Sequence, residues 1–352
     1  MIKIDLNPIL GKIVSHPNPK RTERRIQMKN DPMAKLVTGG TGYVGSETVR
    51  QLVNRGERVV AFDINIVTYR IEDVEKKVKV VRGDLGNLHE VLNLFKDNRI
   101  DAVYHMGSML SWMSELSPWA SFRSNVLGTY HVLEACRLFG ISKIMFTSTL
   151  GTFGLGMEEV VSDTTLQRPT LLYGAGKLYG EGLGRWYTSK FGLDFRSVRY
   201  AHMIGPNVRT PGHWAPPMIE DAILGKRNIC QYATPDSVGS WIYVTDAAKA
   251  AVDILDAPKE KIQMMNYNVA GIPPVISARE TASILKKRFP GFKVEYKRSP
   301  DPRRRVQGMA VFDDSYARRE WGWSPVYTTP EGVIERFERD VKEHPRRYGL
   351  AK

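Results

Sequence analysis

Residues 39–45 read Gly39-Gly40-Thr41-Gly42-Tyr43-Val44-Gly45, and this stretch decides the fold of the chain. A short apolar run at 34–37 precedes it, and an amphipathic stretch follows it as far as Gly56. A second apolar run at 58–62 ends on Asp63. This order of strand, glycine-rich turn, helix, strand and acid predicts a βαβ unit whose helix N-terminus binds a pyrophosphate. The expected contacts in the loop are Gly39, Gly42, Tyr43, Val44 and Gly45.

The glycines at Gly39, Gly42 and Gly45 have the spacing G-x-x-G-x-x-G within this βαβ context. The same spacing occurs as a structural turn in other α/β proteins, but the flanking strands and helix favour dinucleotide binding. Asp63 lies 21 residues after Gly42, where a carboxylate can accept hydrogen bonds from an adenosine ribose. Because this carboxylate would repel the 2′-phosphate of NADP, the sequence favours NAD as the cofactor.

The bulk composition is that of a globular protein, with 352 residues of which 42% are hydrophobic and 25% are charged. The sequence contains no apolar run near the ~20 residues of a membrane span and no secretory signal pattern. Two scattered cysteines, Cys136 and Cys230, argue against a disulfide framework and suit a reducing compartment. From these features we expect a cytoplasmic protein without a membrane segment.

The formal net charge is +13, which raises the question of a nucleic-acid or anionic-surface partner. The basic residues are dispersed along the chain and form only small clusters. We therefore expect a solvated basic surface that attracts an anionic cofactor and substrate, and no nucleic-acid partner. Since no set of His, Cys and carboxylate residues has metal-ligand spacing, we expect no metal site.

Beyond the first βαβ unit, predicted strands and helices alternate, which indicates an α/β fold with a doubly wound parallel sheet of the Rossmann type. Residues 1–33 are predicted to be a basic N-terminal extension, and 34–205 the NAD-binding domain, to which 241–272 returns. Residues 206–240 and 273–345 are predicted to form a smaller C-terminal substrate-binding lobe. Predicted strands lie at 78–82, 101–106, 142–148, 194–200 and 266–269, and predicted helices at 87–97, 121–138 and 173–191.

Tyr173 and Lys177 are four residues apart in a predicted helix, so their side chains share one face. A lysine ammonium near a phenol lowers the tyrosine pKa from about 10, which makes Tyr173 a usable general base. The strand before this helix ends on Phe146-Thr147-Ser148-Thr149 and delivers hydroxyl groups at its carboxyl end. Such a hydroxyl can hold a substrate oxygen while a hydride moves to a nicotinamide. Together with the dinucleotide motif, these features favour catalysis over a packed tyrosine and a solvated lysine.

The chain resembles the extended short-chain dehydrogenase/reductase family over residues 34–340. The resemblance rests on the glycine motif, on Gly83-Asp84-Leu85, on Asn125-Val126-Leu127-Gly128-Thr129 and on Tyr173-x-x-x-Lys177. It implies that Tyr173 is the catalytic base, that Lys177 also binds the nicotinamide ribose, and that Thr149 holds the substrate oxygen. Further cofactor contacts implied by the family are Asp84, Leu85, Met106, Gly107 and Ser108.

Within that family, the chain is similar to the NAD-dependent, epimerase-like L-threonine 3-dehydrogenases. The likeness rests on the strand-end segment 148–154, on Phe195-Arg196-Ser197-Val198-Arg199-Tyr200, and on the helix-capping pattern at 313–323. It implies oxidation of a secondary alcohol, or reduction of the corresponding ketone. L-Threonine is the substrate that the resemblance favours.

Three departures from the threonine dehydrogenase pattern fall where substrate would lie: Ala201-His202, the loop at 209–216, and 308–310. They leave open a larger, less polar alcohol or ketone. Arg298 and the arginines at 303–305 resemble residues that hold a sugar-nucleotide diphosphate, so a sugar-nucleotide 4-epimerase is a second alternative. The candidate substrate contacts are Ser108, Thr149, His202, His213, Trp214 and Arg298.

A third alternative belongs to another class of protein, a regulator or scaffold that binds the cofactor without catalysis. The intact set of Thr149, Tyr173 and Lys177 disfavours it. His202 has its own alternative, because a histidine after a buried strand can equally be a hydrogen-bonded core residue.

The predicted helix at 173–191 contains five glycines between 174 and 184, each costing up to ~1 kcal/mol of helix stability relative to alanine. Close approach to the cofactor on one side and to another helix on the other would offset that cost. Members of the family dimerise through this helix and its neighbour at 121–138, so the resemblance implies a homodimer.

Overall fold

The computed structural model describes residues 32–154, 157–210, 212–297 and 311–351, with the side chains of 273–275 left aside. The described strands are, in chain order, β1 (Ala34–Thr38), β2 (Val59–Asp63), β3 (Val78–Arg82), β4 (Ile100–His105), β5 (Lys143–Thr149), β6 (Val160–Val161), β7 (Asp194–Tyr200), β8 (His202–Ile204), β9 (Asn228–Cys230), β10 (Val238–Tyr243), β11 (Asn266–Val269), β12 (Ile272–Ser277), β13 (Val294–Tyr296) and β14 (Val311–Phe312).

The described α-helices are α1 (Tyr43–Asn54), α2 (Leu88–Lys96), α3 (Ser111–Leu116), α4 (Pro118–Ser121), α5 (Gly128–Phe139), α6 (Leu172–Phe191), α7 (Ala215–Ile223), α8 (Val244–Asp256), α9 (Ala278–Arg288), α10 (Ser315–Trp321) and α11 (Pro330–Glu343). A π-helical segment, Phe122–Leu127, joins α4 to α5. Short 3₁₀ turns lie at Thr68–Arg70, Glu75–Lys77, Leu150–Thr152, Lys259–Lys261 and Arg346–Tyr348.

Seven of the described strands form one parallel sheet in the order β11-β7-β5-β4-β1-β2-β3. Alternate residues of β1 point to opposite faces, so Val37 packs under α1 and α8 whereas Leu36 packs with the residues of α2 and α5. Both faces of the sheet are therefore covered by helices. This arrangement confirms the predicted doubly wound, Rossmann-type fold.

The register of the strands brings the predicted site residues to one edge of the sheet. The end of β1 pairs with the end of β4, where Thr38 is the partner of His105. The end of β5 pairs with the end of β7, where Thr149 is the partner of Tyr200. Because β1 lies between β2 and β4, the strand order reverses at this point, and parallel α/β sheets bind ligands in the crevice beyond such a reversal.

A smaller three-stranded sheet, β12-β10-β8, lies beyond this edge, with β8 parallel and β12 antiparallel to β10. Around it, residues of α7, α9 and α11 form a second apolar core that includes Trp214, Trp241 and Phe337. The chain returns from this lobe to the main sheet through α8 and β11. The lobe therefore faces the carboxyl edge of the main sheet through β8, which follows β7 directly.

The five strands predicted at 78–82, 101–106, 142–148, 194–200 and 266–269 are confirmed within one residue at each end. The helix predicted at 121–138 is wrong in detail, since the chain runs through α4, the π segment and α5. The π segment lets Asn125 reach the loop after β4, where its side chain accepts from the Met109 amide and donates to the Met109 carbonyl. Among the described residues, no helix combines the length and apolarity needed to span a bilayer.

Candidate active site

The loop between β1 and α1 turns so tightly that two of its glycine positions have no space for a side chain. Gly39 has a φ of +66°, and a Cβ added there would lie 2.8 Å from Gly107 Cα. A Cβ on Gly45 would lie only 2.0 Å from the Gly39 carbonyl oxygen. Among the described residues, no side chain caps α1 at Gly42. The amide groups of the first turn, including those of Tyr43 and Val44, therefore offer a positive end to an anion.

Asp63 stands at the end of β2, next to this loop. Its Oδ2 accepts hydrogen bonds from the Thr41 amide at 3.1 Å and from the Thr41 hydroxyl at 3.0 Å. Its Oδ1 accepts from the Asn65 amide at 3.2 Å, and the side chain is half-buried. The carboxylate is thus held beside the glycine loop with room for further donors, as a ribose contact requires.

The segment after β4 is attached to the end of β1 through one hydroxyl group. Thr38 Oγ1 accepts from the Met106 amide at 3.2 Å and from the Gly107 amide at 3.1 Å, and it lies 2.7 Å from His105 Nδ1. His105 Nε2 is 3.2 Å from Thr129 Oγ1, and burial lowers the pKa of this histidine to about 3. His105 is therefore a neutral, hydrogen-bonded core residue that fixes the strand end.

Asp84 and Leu85 follow β3 at the same edge. Asp84 accepts from the Gly86 amide at 2.8 Å and pairs with Arg123 Nη2 at 3.0 Å. Leu85 is buried, and its side chain lies so close to Gly107 that a Cβ there would be 2.6 Å from Leu85 Cδ1. The structure thus places the predicted adenine-contacting segment against the loop after β4.

The catalytic candidate Tyr173 lies near two other hydroxyl residues, and the three come from three different parts of the fold. Tyr173, in the first turn of α6, has two hydroxyl neighbours that favour its phenolate form: Ser108, which follows β4, and Thr149, which ends β5. Burial raises the pKa of Tyr173 to about 12 in spite of these two hydroxyl neighbours. The expected lowering of this pKa is therefore wrong for the chain on its own, because desolvation of the phenolate outweighs every favourable contact.

Lys177 lies one turn along the same face of α6 and is 2% exposed. Its Nζ donates to the Thr147 carbonyl at 2.8 Å and is 5.8 Å from the centroid of the Tyr173 ring. Burial lowers the pKa of this lysine to about 7, and the nearby Glu181 carboxylate opposes the shift. Near neutral pH, Lys177 is consequently divided between its charged and neutral forms.

Two glycines of α6 face the sheet and the turn after β5, whereas the sequence predicted contacts with the cofactor and with another helix. A Cβ on Gly174 would lie 1.9 Å from the Gly151 carbonyl oxygen, and a Cβ on Gly184 would lie 2.3 Å from the Phe195 ring. These glycines let the helix approach the sheet and the turn after β5. Gly176 faces Asn125 and Val126 of the π segment at 3.6 Å, which agrees with the predicted helix–helix contact.

His202 and His213 lie together, with ring centroids 5.1 Å apart. His202 is on β8, two residues beyond the strand that pairs with β5, and His213 is buried. Burial lowers both pKa values, that of His202 to about 4, so both rings are neutral. Within the described part of the chain, His202 Nδ1 and His213 Nε2 have no hydrogen-bond partner.

Two other predicted substrate contacts have different outcomes. Trp214, a candidate substrate contact in the loop at 209–216, caps the start of α7, is 4% exposed and packs against Trp241 at a centroid distance of 5.8 Å. Its indole belongs to the core of the lobe because the apolar faces of α7 and β10 enclose it. Arg298 lies outside the described residues.

Sequence reasoning missed a buried charged pair behind the catalytic candidates. Glu181, fully buried on α6, accepts from Arg199 Nε at 2.8 Å and from Arg199 Nη2 at 2.7 Å. Glu181 also accepts from the Ser148 hydroxyl at 2.5 Å. A carboxylate four residues after Lys177 on the same helical face was the signal in the sequence that could have pointed to it.

Comparison with known proteins agrees with this geometry. The sequence model of the NAD dependent epimerase/dehydratase family matches residues 35–270. The mitochondrial L-threonine 3-dehydrogenase of Bos taurus is 27% identical, over 86% of this chain and 81% of that protein. The UDP-glucose 4-epimerase of Lacticaseibacillus casei is 29% identical, over 90% of this chain and 99% of that protein.

A solved structure is similar over the same span. The L-threonine 3-dehydrogenase of Trypanosoma brucei superimposes with a TM-score of 0.80 at 27% identity, covering 92% of this chain and 100% of the other. The glycine loop, the end of β5 and helix α6 all fall within the residues that the family model matches.

Proposed function

Since the chain belongs to the NAD dependent epimerase/dehydratase family, we propose that it oxidises the secondary alcohol of L-threonine to 2-amino-3-oxobutanoate. It is an NAD-dependent enzyme of the extended short-chain dehydrogenase/reductase type. The observation that carries the proposal is that Ser108 and Thr149 neighbour Tyr173, one helical turn from Lys177.

The residues at the carboxyl edge of the sheet fit NAD. The tight loop from Gly39 to Gly45 and the uncapped start of α1 suit its pyrophosphate, and the Asp63 carboxylate suits its adenosine ribose. Leu85 and the segment Met106-Gly107-Ser108 would line the adenine and nicotinamide ribose ends, respectively. When bound, NAD supplies the nicotinamide carbon that accepts a hydride.

The chain's own groups account for the proton that must leave the alcohol. Thr149 and Ser108 hold the substrate oxygen, and the Tyr173 oxygen takes the hydroxyl proton while the carbinol carbon loses its hydride and becomes a carbonyl carbon. Lys177 in its charged form favours the phenolate that this step needs. Because burial raises the pKa of Tyr173 to about 12, this positive charge beside the phenol is a requirement of the step.

The test is NADH formation by the purified chain supplied with NAD and L-threonine. Saturable NADH production, lost in Tyr173→Phe with NAD binding retained, is the expected result. Turnover that survives Tyr173→Phe would rule out the assigned base. Exposed Tyr179, on the same helix, offers a matched control, and Tyr179→Phe should leave turnover unchanged.

A sugar-nucleotide 4-epimerase is the second candidate, favoured by the 29% identity to a UDP-glucose 4-epimerase over 99% of that protein. The same base and the same cofactor serve both reactions, but an epimerase returns the hydride to the substrate. UDP-glucose should therefore give UDP-galactose without accumulation of NADH if this candidate is correct. A larger, less polar alcohol or ketone remains the third outcome, indicated by turnover of neither L-threonine nor UDP-glucose.

We infer that the chain forms a homodimer through the π segment, α5 and α6. These elements carry large exposed apolar side chains, and between them lies a cleft of about 490 Å³ lined by Phe122, Tyr130 and Tyr179. On α6, Trp186 is 51% exposed, and on the adjoining α4, Trp119 is 68% exposed; such apolar exposure is costly in water. Light scattering should give twice the chain mass, and Tyr179→Arg should give a monomer.

We also assign the protein to the cytoplasm. Both cysteines, Cys136 and Cys230, are buried as free thiols, and burial raises the pKa of each. Free thiols of this kind suit a reducing compartment. Fractionation of the source cells, with antibody detection of the protein, tests the assignment.

A further inference from the structure

A buried ion pair lies directly behind the catalytic candidates. Glu181 Oε1 accepts from Arg199 Nε and Glu181 Oε2 accepts from Arg199 Nη2, so the pair is bidentate. Arg199 is 3% exposed and Glu181 is fully buried. A fully desolvated pair of this geometry has little freedom to move, since separating the two charges would leave each uncompensated.

The pair is connected to the end of β5. Arg199 on β7 is the strand partner of Ser148, and the Ser148 hydroxyl donates to Glu181 Oε1 at 2.5 Å. The residue after Ser148 is Thr149, whose Oγ1 lies at the site and accepts from the Gly151 amide at 3.1 Å. Gln167 Nε2 donates to Glu181 Oε2 at 3.3 Å from the loop before α6. One carboxylate thus joins three segments that meet at the site.

The pair is also connected to Lys177, which precedes Glu181 by one helical turn. Lys177 Nζ donates to the carbonyl of Thr147 and lies 4.8 Å from the centroid of the Phe146 ring. Both of these contacts are with residues of β5, the strand whose end Glu181 fixes. The Glu181 carboxylate is also the negative charge that opposes loss of the lysine proton.

We propose that Glu181, held by Arg199, is a positioning residue that keeps Lys177 in its charged form and fixes the end of β5 for Thr149. The proposal deepens the proposed function, on which its catalytic consequence rests. Its electrostatic consequence does not depend on any substrate, because the charge of Lys177 is a property of the chain itself.

Several other titratable or charged side chains lie near Glu181, Arg199 and Lys177. His105 on β4 is neutral, and Tyr173 is protonated near neutral pH. Asp163 Oδ1 lies 3.9 Å from Arg199 Nη1, and burial raises the pKa of Asp163 to about 7. Arg185, half-exposed on α6, is 4.0 Å from Glu181 Oε2. Among the described residues, Glu181 supplies the negative charge that favours protonated Lys177, so its removal should act on Lys177 directly.

The experiment follows the proton of Lys177 in the full chain without cofactor. Lysine labelled with ¹³C at Cε is incorporated, and the Lys177 signal is assigned by its absence in Lys177→Met. We expect a titration midpoint near pH 7 in the unmodified chain and about one pH unit lower in Glu181→Gln, because a charge is lost while the shape is kept. Arg185→Gln, which also removes one charge near Glu181, is the control, and its midpoint should stay close to that of the unmodified chain.

An unchanged Lys177 midpoint in Glu181→Gln would overturn the proposal, and so would an equal shift in Arg185→Gln. If Glu181 had only a structural role, Glu181→Gln would lower the stability of the chain but leave the titration midpoint of Lys177 unchanged. If Glu181→Gln does not fold, the double variant Glu181→Gln/Arg199→Met removes both charges and leaves no unpaired buried ion. A smaller downward shift is expected from it, because loss of the Arg199 charge offsets part of the effect of losing the Glu181 charge, and an upward shift would overturn the proposal.

The catalytic consequence is measured with NAD and L-threonine. Glu181→Gln should lower kcat at least tenfold near neutral pH with a smaller change in KM, and the alkaline limb of the kcat–pH profile should move to lower pH. Glu181→Asp, which retains the charge, should recover part of kcat. If the unmodified chain does not turn over L-threonine, the proposed function fails, whereas the titration of Lys177 still decides the role of Glu181.

Discussion

Gly180 of α6 lies directly against the ring of Phe146 in β5. A Cβ on Gly180 would be 2.6 Å from Phe146 Cζ and 3.0 Å from Cε1, both shorter than any ordinary carbon–carbon contact. The ring cannot retreat easily, because it is fully buried and packs against His105 and Phe195. The absence of a side chain at Gly180 therefore sets how closely the catalytic helix approaches the sheet.

Gly180→Ala should destabilise the chain for this reason. Overpacking of a buried contact costs roughly 1–3 kcal/mol, which exceeds the gain of up to ~1 kcal/mol that alanine brings to a helix. Because α6 would have to move away from β5, turnover should fall as well. The free energy of unfolding in urea and the rate of NADH formation measure the two effects.

Gly291→Ala is the control for this substitution, since a Cβ there has no neighbour within 4 Å among the described residues. Its free energy of unfolding should stay within about 0.5 kcal/mol of the unmodified chain. Equal stability of Gly180→Ala and Gly291→Ala would contradict the close packing of α6 against β5.

Thr38→Val should loosen the loop after β4. The substitution keeps the shape but removes the hydroxyl that accepts from the Gly107 amide and contacts His105 Nδ1. Leaving such buried groups without a partner costs roughly 1–3 kcal/mol. We expect that loss in the free energy of unfolding, together with weaker binding of NAD in calorimetric titration, because this loop would line the nicotinamide ribose.

The matched control is Thr188→Val, which removes a hydroxyl that donates only to the Gly184 carbonyl within α6. A hydroxyl of this kind adds little to stability, so a change of no more than about 0.5 kcal/mol is expected. If both valine variants bind NAD as tightly as the unmodified chain, Thr38 does not position the cofactor loop.

The parts of the site that could be predicted from sequence are those determined by short-range spacing of residues along the chain. Glycine spacing followed by a helix and an acidic residue specified the loop and Asp63, because the hydrogen bonds of Asp63 and the close approach of Gly45 to Gly39 lie within one βαβ unit. The spacing of Tyr173 and Lys177 specified a shared helical face. The strand order could also be anticipated, since parallel strands joined by helices pack in few ways.

Other features depended on tertiary burial, which no local pattern reports. The pKa of Tyr173 moves up because the phenol is desolvated, whereas the sequence offered only the nearby lysine. Trp214 belongs to the core of the lobe because α7 and β10 enclose it. Glu181 and Arg199 come from a helix and a strand that meet only when the sheet is assembled.

Asp63→Asn should weaken NAD binding and reduce the preference for NAD over NADP. A neutral amide oxygen accepts weaker hydrogen bonds from the hydroxyl groups of the adenosine ribose than a carboxylate does. The amide also no longer repels a 2′-phosphate. We expect the Kd for NAD to rise at least tenfold, or about 1.4 kcal/mol, while the Kd for NADP rises less or falls. Calorimetric titration of both cofactors against the full chain measures the ratio.

The control for Asp63→Asn is Asp97→Asn, the same change of charge at the end of α2. Asp97 lines a surface groove beside the opposite, amino-terminal ends of β1 to β3, with Pro32 and Arg99. The ratio of the two Kd values should therefore stay as it is in the unmodified chain. A ratio unchanged in Asp63→Asn would mean that Asp63 only anchors Thr41.

Lys177→Met should stabilise the fold, and by an amount that depends on pH. Burial lowers the pKa of Lys177 from about 10.5 in the unfolded chain to about 7 in the folded one. Between these values the unfolded chain binds a proton that the folded chain lacks, so the free energy of unfolding of the unmodified chain falls as pH falls. The loss begins near pH 10.5 and is complete just below pH 7. Since methionine does not titrate, the stability difference between Lys177→Met and the unmodified chain should widen across this window by roughly 3 to 5 kcal/mol.

Urea denaturation of both proteins at a series of pH values measures this difference. Lys190→Met, an exposed lysine at the end of the same helix, makes the same change of charge and should give a difference that stays constant with pH. A difference for Lys177→Met that is equally flat would mean that Lys177 keeps its proton throughout. Lys177 would then stay charged without help from the Glu181 carboxylate. The Glu181–Arg199 pair would therefore not be needed for the positive charge that favours the Tyr173 phenolate.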